Sequence, residues 1–164
     1  MTRRDSAAIA TGILTFVSAS VLLAGCTQQP KGSEMDAEQA RDGMVSLVEQ
    51  TMKAAGGDWT ALSDGPASSE CSTGNGSSGV TFSWDQERTG ATDPESLVRA
   101  VAKTWKQHDY DVTIKQDTID DGRPLWSAVT TGQAVESISV NASPRRVSIE
   151  VQSACGTGDI ADYE

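Results

Sequence analysis

The sequence is poor in histidine, in phenylalanine and tyrosine, and in positive charge, and these shortages exclude several kinds of site. One histidine and three cysteines make a poor set of zinc ligands, and the single histidine is the one candidate for the general base of a Ser-His-Asp hydrolase. The chain has 13 basic and 23 acidic residues, which gives a net charge of −10. Because nucleic acids require a basic surface, we expect no nucleic-acid partner.

The first 26 residues have the pattern of a secretory signal. Arg3 and Arg4 precede an apolar stretch at 7–23, and Leu23-Ala24-Gly25-Cys26 then resembles the lipobox of bacterial lipoproteins. The resemblance implies cleavage before Cys26 and a diacylglyceryl group on its sulfur, and two acyl chains anchor a protein stably to a membrane. The alternative is an uncleaved membrane helix, although the run is short and rich in Ser, Thr and Gly for a span of about 20 residues.

The pattern predicts four segments. We expect a signal peptide at 1–25, the lipidated cysteine and a flexible tether at 26–35, a single α+β domain at 36–157 and an acidic tail at 158–164. A domain of this size can bury one core. Its acidity would keep it off an anionic lipid surface, so the anchor at Cys26 would provide the attachment to the membrane.

The three cysteines divide into one lipidation site and one pair. With Cys26 assigned to lipid, Cys71 and Cys155 remain. Export places them in an oxidising compartment, where such a pair predicts a disulfide. The alternative is a pair of free or metal-binding thiols.

Two helices are predicted from caps and apolar spacing. Asp36 can cap a helix that begins near Ala37 and ends at Gly56-Gly57. Thr92-Asp93-Pro94-Glu95 combines a capping side chain, a proline in the first turn and an acid near the positive end of the helix dipole. It therefore marks the start of a second helix.

Alternation of apolar and polar residues predicts about five strands. They lie near 80–84, 110–115, 125–131, 138–142 and 147–152, and residues 58–78 are expected to form a long loop. Short turns between successive strands imply antiparallel pairing. We therefore predict a two-layer α+β domain, an antiparallel sheet of about five strands with two helices packed on one face.

Several features together resemble a class of small actinobacterial lipoproteins. They are the lipobox cysteine, Gly57-Asp58-Trp59 after the first helix, one cysteine in each half of the domain, and Ser153-Ala154-Cys155-Gly156 near the end. The resemblance implies attachment to the cell surface. No activity is implied for this chain by the resemblance.

Candidate catalytic and metal residues are few. His108 sits beside Asp109 at a helix end, where a histidine more often interacts with the helix dipole than abstracts protons. Asp117, Asp120 and Asp121 faintly resemble a calcium loop, but the third and twelfth positions of an EF-hand do not carry oxygen ligands here. We therefore predict no enzyme, no metal and no cofactor.

The leading functional prediction is a lipid-anchored, non-enzymatic binding or interaction module on the extracytoplasmic face of the cell membrane. Its partner would be another envelope protein. The alternative is a carrier of a lipid or other hydrophobic ligand, since flexible thioethers adapt to such molecules. The weak candidates for that ligand site are Met44, Met52, Trp105 and Trp126. An envelope hydrolase that uses His108 comes third.

Overall fold

The computed structural model describes residues 35–163. The predicted signal peptide at 1–25, the lipidation site Cys26 and all but the last residue of the tether lie outside the described residues. No helix between Met35 and Tyr163 has the length and hydrophobicity needed to cross a membrane.

The first helix, α1, spans Ala37–Ala55 and has the ends that the sequence predicts. The Asp36 carboxylate accepts a hydrogen bond from the Gln39 backbone N–H at 2.7 Å. Gly56, at φ +65°, ends the helix and donates its N–H to the Met52 carbonyl.

The second helix, α2, spans Pro94–Gln107 and is capped in the same way. The Ser96 N–H donates to the Asp93 carboxylate at 3.0 Å, and this bond holds the pKa of Asp93 below its ordinary value. Because the charged carboxylate is the better acceptor, the cap weakens as the pH falls through that lowered pKa. Both predicted helices are confirmed.

Nine strands form one sheet, and every pairing between them is antiparallel. The order along the main path is β1-β4-β8-β7-β6-β5, while β3 pairs with β2, β8 and β9. The strands are β1 (Thr60–Ala61), β2 (Ala67–Ser72), β3 (Ser78–Ser83), β4 (Gln86–Thr89), β5 (Thr113–Thr118), β6 (Pro124–Gly132), β7 (Val135–Ala142), β8 (Arg146–Ser153) and β9 (Gly156–Thr157).

The prediction of a sheet of about five strands with two helices on one face is wrong. Four strands, β1, β2, β4 and β9, were not predicted. Two of them have only two residues each, too few to show a pattern. The residues of β2 are mostly exposed, and β4 reads Gln-Glu-Arg-Thr, so neither has the apolar alternation of a half-buried strand. In the sheet as found, α1 packs against β3, β7, β8 and β9, and α2 packs against β5, β6 and β7.

The predicted long loop at 58–78 is instead largely a strand and its hairpin turn. Every residue of β2 pairs with β3, from Ala67 opposite Ser83 to Ser72 opposite Ser78. Cys71 therefore lies in a strand, and the predicted disulfide to Cys155 is confirmed, with a Cα–Cα distance of 5.9 Å. Gly79, opposite Cys71, leaves room for this bridge, because a Cβ there would lie 2.9 Å from Cys155 Sγ.

A buried serine links β3 and β8 by hydrogen bonds at the point where the two strands diverge. These two strands pair at a single position, Ser83 opposite Gln152. One residue further along β8, Ser153 Oγ accepts the Phe82 backbone N–H at 2.9 Å, and the Ser153 carbonyl accepts the Thr81 hydroxyl at 2.9 Å. The fully buried Ser153 side chain thus takes the place of a backbone ladder bond.

A hydrogen-bond chain links the two helices inside the core. The Trp105 indole N–H on α2 donates to Thr51 Oγ1 on α1 at 2.8 Å, and the Thr51 hydroxyl donates to the Leu47 carbonyl at 2.7 Å. Trp105 and Thr51 are fully buried. Around them lie the other large side chains with no exposed surface, including Met44, Val48, Val98, Val101, Ile138 and Ile149.

Replacing Thr51 by valine should destabilise the protein by about 1–3 kcal/mol, because the buried indole N–H of Trp105 would lose its acceptor. Denaturant unfolding of the wild type and the variant measures this difference. Thr104→Val is the matched control, since that hydroxyl also bonds to a helix carbonyl, at 3.3 Å, but accepts no indole N–H. The control should change stability by less than about 0.5 kcal/mol. Equal effects of the two variants would contradict a role for the interhelical bond.

Candidate functional site

The four residues predicted as weak candidates for a ligand site lie in different environments. Met44 and Trp105 are fully buried in the core, and Met52 is half-buried at its margin. Trp126 on β6 is half-buried, and the Arg99 guanidinium lies 5.6 Å from the centre of its ring. A hydrophobic ligand would have to displace core side chains to touch Met44 or Trp105, so the structure does not favour the carrier alternative.

His108 is exposed at the C-terminal end of α2. Its backbone carbonyl accepts a hydrogen bond from the Gln133 side chain at 3.1 Å. Between Met35 and Tyr163 no side chain forms a hydrogen bond or ion pair with the imidazole. The described residues therefore do not assemble a Ser-His-Asp arrangement around it.

The acidic turn that faintly resembles a calcium loop is a salt-bridged hairpin. Asp121 and Gly122 lie between β5 and β6, with Gly122 at φ +80°. The Arg123 guanidinium pairs with the Asp121 carboxylate, Nε lying 2.6 Å from Oδ2, and this lowers the pKa of that carboxyl. Across the described residues no three His, Cys, Asp or Glu side chains are grouped to hold a metal ion.

A first surface, here called the hydroxyl face, comprises Ser127, Ser139, Asn141, Ser148 and Glu150 on three adjacent strands. Ser127 Oγ donates to Asn141 Oδ1 at 2.7 Å, and Asn141 Nδ2 reaches Ser139 Oγ at 3.2 Å. Glu150 Oε1 accepts from Ser148 and Asn141. These polar groups satisfy one another across β6, β7 and β8, so the hydroxyl face has an explanation within the fold.

A second surface lies between α2 and β5 and is here called the basic groove. It is an open depression of about 400 Å³. Ala102 and Ile114 give it an apolar floor, and Ala102 is 2% exposed. The remaining lining residues are polar or charged members of α2, namely Arg99, Lys103, Lys106 and Gln107.

The three cations of the basic groove form one stripe along α2. Arg99, Lys103 and Lys106 are spaced i, i+4 and i+7, which places them on the same side of a helix. Arg99 Nε pairs with Glu95 Oε1 at 2.8 Å in an exposed pair, the kind that contributes less than about 1 kcal/mol. Lys103 and Lys106 form no ion pair with any residue from 35 to 163. In a chain with a net charge of −10, Lys103 and Lys106 are therefore a local concentration of positive charge that no carboxylate of the described residues pairs with.

The strand that borders the basic groove is at the edge of the sheet. β5 ends the strand order, and within the described chain its one partner is β6. In an antiparallel pair, alternate residues direct both N–H and C=O away from the partner. β5 therefore presents a row of unpaired backbone groups next to the stripe of cations.

Sequence reasoning did not identify the basic groove. The cations on α2 look like the solvated side of an amphipathic helix, which is the usual role of such residues. One signal was available, namely three basic residues at helical spacing with one acid, Glu95, in a strongly acidic chain. Their position beside a sheet edge depends on strand order, which the sequence does not display.

Comparison with known proteins shows similarity at the level of fold. No protein-family model matches the sequence, and no curated protein matches it. The structure is similar to the crystal structure of a DUF4853 family protein from Actinomyces odontolyticus ATCC 17982, with a TM-score of 0.55. The sequences are 15% identical, and the match covers 79% of this chain and 72% of the other. At this identity the likeness concerns the fold alone.

Proposed function

We propose that the chain is a lipid-anchored, non-enzymatic binding module on the extracytoplasmic face of the cell membrane, and that it binds another envelope protein. The observation that carries this proposal is the disulfide between Cys71 and Cys155. Disulfides persist in oxidising compartments, which supports export of the domain. The pair accounts for two of the three cysteines and leaves Cys26, at the end of the predicted signal, for lipid.

Two features of the domain support binding as its role. The core is filled by large side chains with no exposed surface, so recognition is expected at the surface. The basic groove has an apolar floor, charged walls and an open strand edge, which are features that domains use to bind extended segments of other proteins.

The anchor is tested by replacing Cys26 with alanine in the full-length protein. Cells are labelled with a clickable fatty acid, fractionated, and the protein is analysed by mass spectrometry. We expect the wild type to carry label, to lack residues 1–25 and to sediment with membranes. The Cys26→Ala variant should lose the label, because it lacks the thiol that accepts diacylglycerol, whereas a Thr27→Ala control should keep it.

Two results would contradict the proposed anchor. An unlabelled wild-type protein that retains residues 1–25 and sediments with membranes would identify the alternative, an uncleaved membrane helix. An unlabelled wild-type protein in the soluble cytosolic fraction would remove both the anchor and the export on which the proposed function depends.

A further inference from the structure

We propose that the basic groove and the free edge of β5 together bind an extended, acidic segment of the partner protein, which adds to the sheet as a further strand. This inference rests on the proposed function and specifies its surface and the chemistry of its partner. It follows from three observations about the described residues, namely the strand edge, the shape of the groove and the distribution of charge.

The strand edge supplies backbone hydrogen bonds. All six residues of β5 pair with β6 in unbroken register, from Thr113 opposite Val129 to Thr118 opposite Pro124. A strand without a bulge presents its free N–H and C=O groups at regular spacing on the other side. Strand addition uses these groups and depends little on the sequence of the added segment.

The groove supplies side-chain specificity. The side chains of an added strand alternate between the two faces of the sheet, so every second one would enter the space between α2 and β5. There the floor is Ala102 and Ile114, and the upper wall is the stripe of Arg99, Lys103 and Lys106. A segment with an apolar side chain over the floor and acidic side chains within reach of the lysines fits this arrangement.

The charge distribution identifies the occupant as acidic. Lys103 and Lys106 are exposed, and in the described chain neither takes part in an ion pair that would give it a role in stability. The net charge of −10 repels an acidic partner at long range, but salt screens exposed charges beyond about 8 Å, so the nearby cations dominate at contact.

The same charges argue against a second copy of this chain as the occupant. If two β5 edges paired about a two-fold axis, the cation stripes of both copies would approach the same junction. Like charges placed close together across an interface destabilise it. An acidic segment of a different protein removes this repulsion and neutralises the stripe.

The test is photo-crosslinking in cells that make the anchored full-length protein. A benzoylphenylalanine replaces Gln107, which lines the basic groove, or Ser139 on the hydroxyl face as the control position. Crosslinked peptides are identified by mass spectrometry. We expect the probe at position 107, and not the one at 139, to capture an acidic segment of an envelope protein. The double change Lys103→Glu/Lys106→Glu should reduce the yield about tenfold, and Lys53→Glu/Arg145→Glu should leave it unchanged.

A second pair of variants tests the backbone contribution. Lys115 and Gln116 are neighbours in β5, so the N–H of one points to β6 and that of the other points to the free side. Proline in place of the residue whose N–H points to β6 should lower the melting temperature. Proline in place of the residue whose N–H points to the free side should leave the melting temperature nearly unchanged. It should also abolish the crosslink from position 107, because β5 then has one backbone donor fewer for the added strand.

Several outcomes would overturn the inference while leaving the anchor intact. They are equal crosslinking from positions 107 and 139, a yield at 107 that charge reversal does not change, or capture of lipid, of a second copy or of a segment without acidic residues. A protein that is not anchored at all would instead contradict the proposed function, as the fatty-acid labelling shows independently.

Discussion

Replacing Cys71 and Cys155 together by serine should lower the free energy of unfolding by about 4 to 5 kcal/mol. The disulfide joins residues separated by 84 positions, and closing a loop of this length removes much of the conformational freedom of the unfolded chain. The loss is a large part of the 5–15 kcal/mol that is typical of a whole domain. The variant should therefore unfold at a much lower denaturant concentration than the wild type.

The disulfide also holds a strand that lies outside the core and packs against β3 and the end of the described chain. β2 is mostly exposed, and β3 is its partner in the sheet. A tertiary contact joins it to the end of the described chain, where Ser68 Oγ donates to the Tyr163 carbonyl at 3.3 Å. Without the bridge, we expect β2 to open before the rest of the sheet and its backbone amides to exchange faster.

Guanidinium unfolding with and without reductant checks the prediction. The reduced wild type should match the Cys71→Ser/Cys155→Ser variant, and reductant should have no effect on the variant itself. A loss below about 1 kcal/mol would show that the bridge contributes little to stability. Unchanged amide exchange in β2 would show that β3 alone holds that strand.

Replacing Trp105 by alanine should cost about 3–5 kcal/mol, the range for deleting a large buried aromatic side chain. The side chain has no exposed surface, packs between the helices and the sheet, and bonds to Thr51. Trp126→Ala is the matched control. That indole is half-buried at the edge of the core, beside the exposed Arg99, so its loss should cost about 1–2 kcal/mol.

Denaturant unfolding of both variants measures the two losses in the free energy of unfolding. If Trp105→Ala does not fold, Trp105→Phe keeps most of the buried ring and should give a folded protein that is still less stable than the wild type. Equal losses for the two alanine variants would contradict the assignment of Trp105 to the core. A lipid that copurifies with the wild type and is lost in Trp105→Phe would revive the carrier prediction.

The helix ends were predictable because their causes are local. Asp36 and Asp93 each accept a backbone N–H three residues ahead, and Gly56 adopts a positive φ that favours glycine. All of these interactions lie within one helical turn. The cysteine pair was predictable from count and compartment alone, without knowledge of the fold.

The sheet was predicted only where a strand buries one face. The alternation in β7 and β8 is visible because Val140 and Ile149 point into the core while Ser139 and Ser148 do not. β2 and β4 join the sheet through backbone bonds to neighbouring strands, and backbone bonds leave no mark on the residue pattern. This is why nine strands were found where about five were expected.

The sequence by itself determined the two helices, the strongest strands and the pairing of Cys71 with Cys155. Each depends on near neighbours, on burial of one face or on simple counting. The tertiary structure alone decided the order of nine strands, the burial of Trp105 against Thr51, and the position of the α2 cations beside the free edge of β5. These features depend on contacts between residues far apart in the chain, which arise only when the whole chain has folded.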